Sequence, residues 1–134
     1  MEAVLLDTNY LVALELVTEQ SHQAAERHWQ SLQGKLPSLI TTTYIFDEVM
    51  TFFNSRGQHQ RAVKVGNSLR SSFVELVHVD EALFEVGWAY FVQHADKAYS
   101  LTDCISFVLM AQRGITTAFT FDHHFAQAGF TLVP

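Results

Sequence analysis

Four acidic side chains stand where acids are costly: Asp7, Glu48, Asp103 and Asp122. Asp7 directly follows the apolar run VLL at 4–6, and Asp122 directly follows TTAFTF at 116–121. A carboxylate at the edge of a core has to be hydrogen-bonded, paired or bound to a cation. Glu48 lies in a helical segment with Tyr44, Ile45 and Phe52 at three or four positions and no base at that spacing. It therefore projects from an apolar face, whereas its neighbour Asp47 lies nearer the solvated flank. Asp103 ends the tetrapeptide SLTD, just ahead of the apolar stretch CISFVLMA.

Each acid also has a purely structural reading. Asp7 and Asp122 suit the N-cap of the next helix, Ser100 with Asp103 matches a capping box, and Glu48 could lie at a solvated edge. Taken together the four point to chemistry. Carboxylates that converge without matching lysines or arginines repel one another, and a divalent cation relieves that repulsion. An all-oxygen donor set favours Mg²⁺ or Mn²⁺ over zinc. Mg²⁺ keeps several waters and recruits phosphate oxygens, which makes a phosphodiester or phosphoanhydride the natural substrate class. Two such ions about 3.5–4 Å apart would suit an in-line displacement.

The elements that must position these acids are legible from periodicity and punctuation. Residues 4–6 read as a short buried strand, followed by a mostly apolar helical segment at 10–17. A more polar helix spans 18–32, with Ala24, Ala25, His28, Trp29 and Leu32 on one stripe, and Gly34 and Pro37 end it. Leu39 and Ile40 form a brief strand, and the threonines at 41–43 cap a helix over 44–55 that stops near Gly57. An amphipathic helix follows at 58–71, then an alternating valine-rich strand at 73–79. Asp80 caps the next helix, and 95–100 is a loop. A buried helix at 101–113 is closed by Gly114. A strand at 116–121, a helical piece through Gln127 and a last strand at 130–133 complete the chain. Strands alternating with helices indicate an α/β fold with a mainly parallel sheet. In such sheets ligands sit outside the carboxyl ends of the strands. That rule places Asp7 and Asp122 on one edge, with Asp103 at its mouth.

Composition narrows the function classes. A chain of 134 residues that is 49% hydrophobic and 16% charged suits one domain, 1–134, with a sizeable core. The single cysteine, Cys104, cannot form an internal bridge, and no leader or membrane-length apolar run is visible, so a cytoplasmic protein is expected. With 14 acids against 8 bases the net charge is −6, unsuited to gripping nucleic acid by phosphate neutralisation alone. Acids that hold cations reverse that local field. No G-x-G-x-x-G or P-loop pattern follows the first strand, which leaves a nucleotide-binding domain without support.

Other candidates read more plainly. The seven histidines, His123 and His124 included, show no H-x-x-x-H spacing and read as structural. Cys104 reads as a packed thiol. Arg56, Arg61, Lys64 and Arg70 suit a solvated helix face and a margin for substrate phosphates equally. Asp96 is a peripheral acid on the loop leading into SLTD.

The ordered blocks VLLDTNYLVAL, TTTYIFDEVMTFF, YSLTDCISFVLMAQRGI and TAFTFDHHF followed by GFTLV resemble the PIN domain across essentially the whole chain. That family of metal-dependent ribonucleases includes the VapC-type toxins of bacterial toxin–antitoxin pairs. The resemblance implies a three-layer α/β/α fold around a mainly parallel, roughly five-stranded sheet, and commonly a homodimer. It carries the family's metal-binding acids onto Asp7, Glu48, Asp103 and Asp122, with Mg²⁺ or Mn²⁺ as the cofactor. It also gives Thr8 or Asn9 the task of positioning a water or the scissile phosphate. The implied reaction is hydrolysis of RNA by cation-activated water, leaving a 5′-phosphate and a 3′-hydroxyl. A small antitoxin would dock in an apolar groove made by the early helices and reach the acids with a basic side chain. Rival readings are a non-catalytic PIN-like module that binds RNA or protein, and a nuclease of RNA maturation.

Overall fold

The computed structural model describes residues 2–134. In chain order its elements are β1 (Ala3–Leu6), α1 (Thr8–Glu15), α2 (His22–Ser31), β2 (Ser38–Thr42), α3 (Thr43–Asn54) and α4 (His59–Ser71). They continue with β3 (Glu75–Val77), α5 (Glu81–Gln93), α6 (Leu101–Arg113), β4 (Thr117–Phe119), α7 (His123–Gln127) and β5 (Thr131–Val133). The strands form one sheet in the order β3-β2-β1-β4-β5, and every pairing is parallel. The central strand β1 pairs Leu5 with Ile40 of β2 on one side and with Ala118 of β4 on the other. Covered on both faces, it carries Val4, Leu5 and Leu6 as a continuous apolar run.

The connections from β1 to β2 and from β2 to β3 step one way along the sheet, and those from β3 to β4 and from β4 to β5 step the other way. Right-handed crossovers then put α1–α4 on one face and α5–α7 on the opposite face, giving three layers. The packing agrees: α1 lies on α2 and α3, α3 on α4, α5 on α6, and α6 on α7. The strand order reverses between β1 and β4. That is where an open parallel sheet leaves a crevice beyond its carboxyl ends.

Several boundaries differ from the sequence expectation, each for a local reason. The helix expected at 10–17 starts earlier, so Thr8 and Asn9 belong to the first turn of α1. The helix expected at 18–32 begins only at His22, after a run of turns. The strand expected at 73–79 shrinks to β3, whose last residue Val77 lies opposite Thr42, where β2 ends. Phe73 is left 78% exposed. At the other edge Phe130 leaves the expected strand and lies stacked on Phe107 at 5.7 Å. The strand expected at 116–121 stops at Phe119, and beyond it the Thr120 hydroxyl and the Phe121 N–H bond toward the crevice.

Helix α6 sits under α5, with every residue from Cys104 to Met110 buried. The two helices meet at Gly87, where an added Cβ would lie 2.5 Å from Ile105 Cγ1 and 3.4 Å from its Cα. The β-branched Ile105 has little rotamer freedom in a helix with which to give way. Gly87→Ala is therefore expected to lower stability in urea unfolding by about 1–2 kcal/mol, overpacking exceeding the helix-propensity gain. Unchanged or increased stability would mean that α5 can lift off α6 freely.

Candidate metal centre

The crevice at the strand-order reversal is a cleft of about 320 Å³ lined by Asp7, Thr8, Asn9, Glu48, Ala98, Ser100, Asp103, Asp122 and His124. The chain thus brings the four acids and both polar neighbours of Asp7 to one place. Asp96 is not among them: its side chain is 75% exposed and lies 3.8 Å from Lys97, outside the cleft. The lining contains no lysine or arginine. Three basic residues of the 56–70 segment are engaged elsewhere. The Arg56 guanidinium lies 3.6 Å over the Phe52 ring, and Arg61 and Lys64 reach Glu15 at 3.3 and 3.6 Å.

Asp7 is the deepest acid, 5% exposed at the end of β1. Its backbone N–H continues the sheet by donating to Phe119 O at 3.1 Å. It occupies the N-cap position of α1, yet its side chain makes no capping bond, contrary to the sequence expectation. The carboxylate instead accepts the Thr120 hydroxyl at 2.7 Å, across the boundary between β1 and β4. Desolvation by burial pushes its pKa up from 3.8 to about 7, with the charges of Asp103 and Asp122 adding to the rise and the Thr120 hydroxyl opposing it.

Thr120 was not singled out from sequence, although it is fully buried and central to the site. Its hydroxyl donates to Asp7 Oδ2 and accepts the Asp122 N–H at 3.0 Å, linking two of the acids. Asn9 secures the same junction from α1, its Oδ1 accepting the Phe121 N–H at 3.0 Å. That oxygen serves to hold the strand end. Thr8 Oγ1 donates to Glu48 Oε1 at 2.6 Å, so the hydroxyl expected to face water or phosphate orients an acid from α3. Glu48 itself is half-buried at mid-helix. Helix α3 is fixed at its start by the Thr42 side chain, which accepts the Ile45 N–H at 3.1 Å.

The other two acids are helix caps facing the same space. Asp103 and Ser100 form the reciprocal capping box of α6, at 3.0 and 3.2 Å. Burial is the main cause that raises the Asp103 pKa, and the charge of Asp122 raises it further. Asp122 caps α7 by accepting the His124 N–H on Oδ1 at 2.9 Å. His124, which read as structural in the sequence, turns into the cleft while His123 remains exposed. Its Nδ1 lies 3.2 Å from Asp103 Oδ2 and 3.5 Å from Asp122 Oδ1. Spacing of i, i+2 from an aspartate is not a helical ligand pattern. Only its place in the first turn after a strand-end acid pointed inward.

The donor set suits a divalent cation: converging carboxylates, one buried and partly desolvated, with no lysine or arginine in the lining. Asp103, Asp122 and His124 alone place one donor atom each within 4.8 Å of one another.

Two outcomes follow for the protein in chelator. The unfolded chain releases the Asp7 proton near 3.8 and the folded chain near 7, so the folded form holds the extra proton between those values. Its contribution to stability is then fully present below about pH 4, falls as pH rises through about 7, and levels off above. Asp7→Asn is expected to melt higher than wild type at pH 8, the advantage vanishing toward pH 4. No gain at pH 8 would show that the buried carboxylate carries no penalty. Thr120→Val removes the hydroxyl that opposes the rise, so the fall should extend to higher pH, with Thr120→Ser behaving as wild type. Identical pH–melting curves for the valine and serine variants would contradict that role.

A family model described as PIN domain matches residues 4–131. The 23S rRNA-specific endonuclease VapC20 of Mycobacterium tuberculosis is 34% identical over 130 residues, covering 97% of each chain. The crystal structure of Mycobacterium tuberculosis VapC20, described as a Sarcin-Ricin loop cleaving toxin, superposes with a TM-score of 0.87 at 33% identity, covering 96% of both chains. FitAcB from Neisseria gonorrhoeae shares the fold at a TM-score of 0.65 and 18% identity, covering 98% of this chain and 96% of that one. A family match spanning nearly every residue, together with a relative of this identity over 97% of its length, means that the chain belongs to the PIN domain family.

Proposed function

We propose that this protein is a divalent-metal-dependent endoribonuclease and the toxin of a type II toxin–antitoxin pair. The observation that carries the reading is the cleft of four carboxylates with no lysine or arginine in its lining. Such a cleft repels RNA phosphates until a cation occupies it, and then attracts them. The relative named as a 23S rRNA-specific endonuclease supports ribosomal RNA as the substrate class. The reading takes residues 1–134 as one PIN domain acting in the cytoplasm, where that substrate lies.

Asp7, Glu48, Asp103 and Asp122 would hold Mg²⁺ or Mn²⁺. When bound, the ion supplies Lewis acidity toward a phosphoryl oxygen and lowers the pKa of an attacking water. The chain's own residues prepare the site. Thr120 favours the ionised form of Asp7, and Thr8 fixes the direction of Glu48. The two capping arrangements keep Asp103 and Asp122 from rotating away. No side chain in the lining is arranged as a covalent nucleophile: Cys104 is fully buried, with its thiol pushed up to about 11 by burial.

An apolar groove of about 450 Å³ between α1, α2 and α4, with Leu11, Leu14, Trp29, Val65 and Leu69 in its walls, fits the early-helix docking site for a small antitoxin. The exposed Val86, Trp88, Phe91 and Val92 of α5 offer an apolar face for a second copy.

Cleavage of a 23S rRNA fragment with Mn²⁺ or Mg²⁺ tests the reading. Wild type is expected to leave 5′-phosphate and 3′-hydroxyl ends, with activity abolished by chelator. Asp7→Asn and Asp103→Asn should each lower the rate by ~100-fold or more. Undiminished cleavage by folded Asp103→Asn would overturn the site, and cleavage that persists in chelator would overturn metal dependence.

A further inference from the structure

Building on the metal centre proposed above, we propose that His124 is a direct nitrogen ligand of the cation, making the site selective for Mn²⁺ over Mg²⁺. The imidazole Nδ1 faces two carboxylate oxygens at once, Asp103 Oδ2 at 3.2 Å and Asp122 Oδ1 at 3.5 Å. Each of those oxygens already accepts a backbone N–H, from Ser100 and from His124 itself. A proton on Nδ1 serves one of the two oxygens, and a lone pair there opposes both. A cation between them satisfies all three atoms. Neighbouring ligands of an octahedral ion with bonds of about 2.1 Å lie about 3.0 Å apart. The observed separations are close to that figure before any adjustment of side chains.

The placement of the ring is built in. The cap bond that aims Asp122 also fixes the backbone of His124, so the two donors move together. Tyr99 stands edge-on to the imidazole with ring centroids 5.4 Å apart and walls one side of it. A donor set of two carboxylates and one imidazole differs chemically from four carboxylates. Mg²⁺ prefers oxygen and near-ideal octahedral geometry, whereas imidazole suits later first-row ions, and Mn²⁺ accepts mixed nitrogen and oxygen ligands. His124 therefore biases a site of otherwise hard donors toward Mn²⁺.

Pulsed electron paramagnetic resonance on the Mn²⁺-loaded full chain reads this directly. Wild type and His123→Gln are expected to show the ¹⁴N coupling of one coordinated imidazole, and His124→Gln to lack it. Calorimetric titration should show Mn²⁺ affinity at least ~10-fold lower in His124→Gln, with a smaller loss for Mg²⁺. If that variant does not fold, wild type labelled with ¹⁵N only at histidine gives the answer, because the coupling must change with the isotope. Mn²⁺ bound without nitrogen coupling, or coupling that survives in His124→Gln, overturns the assignment of His124 and leaves the metal centre standing. A wild-type protein that binds no Mn²⁺ overturns the metal centre itself.

Discussion

The hydrogen bond from Thr120 to Asp7 spans the boundary between β1 and β4, and the architecture of the cleft hangs on that boundary. Asp7 is held in a desolvated position with no cationic side chain beside it. Keeping it ionised above pH 7 costs the ion-free fold about 4 kcal/mol, judged from a pKa moved from 3.8 to about 7. Against a typical net domain stability of roughly 5–15 kcal/mol that is a large share. The chain tolerates it because the rest of the core is dense. Helix α6 and the central strands are buried on nearly all faces, with Tyr10, Phe53, Phe107 and Phe125 filling the interior. The same carboxylate that strains the ion-free fold is one a divalent ion would bind on the proposed reading. On the proposed reading, function and stability are opposed at this one residue, and a cation bound there would reconcile them.

Around Asp7 the site is assembled from ordinary structural devices used twice. The capping box of α6 satisfies backbone donors that any helix start leaves open, and it also aims Asp103 into the cleft. The cap of α7 does the same for Asp122 and carries His124 with it. Asn9 satisfies a backbone N–H just past the end of β4, and so keeps the strand end and the start of α1 at a fixed separation. Because each device is needed for local folding, the acids are placed without long flexible side chains having to be ordered on binding. Glu48, the longest of the four, is the one that needs a separate tether, and Thr8 supplies it.

The surface divides into regions of different chemistry. The acid cleft opens beyond the carboxyl ends of the strands, and the apolar groove lies over the α1–α4 layer. Arg61 and Lys64 pair with Glu15 at the end of α1, on the groove side of the molecule. The scarcity of cations around the acids is therefore a matter of placement as well as of number. On the proposed reading, an acidic protein of this kind acts on a polyanion through a bound cation.

Much of this was legible in the sequence because it depends on local rules. Apolar runs ending in an acid, Gly114 after α6, and the S-x-x-D box are short-range signals, and they located three of the four acids and the alternating α/β order. Glu48 was legible because an unpaired acid on an apolar helical stripe is anomalous at any position. Strand ends were less legible: 73–79 and 116–121 keep their alternation beyond the point where a partner strand stops or a side chain intercepts the backbone. The tertiary structure alone decided whether Asp7 caps a helix or accepts a hydroxyl, since Thr120 is 113 residues away in the chain. It likewise turned Thr8 toward Glu48 and His124 toward Asp103. Sequence determines which groups a chain can offer, but the partners of a buried polar group are chosen by packing, which brings distant segments to within hydrogen-bonding distance.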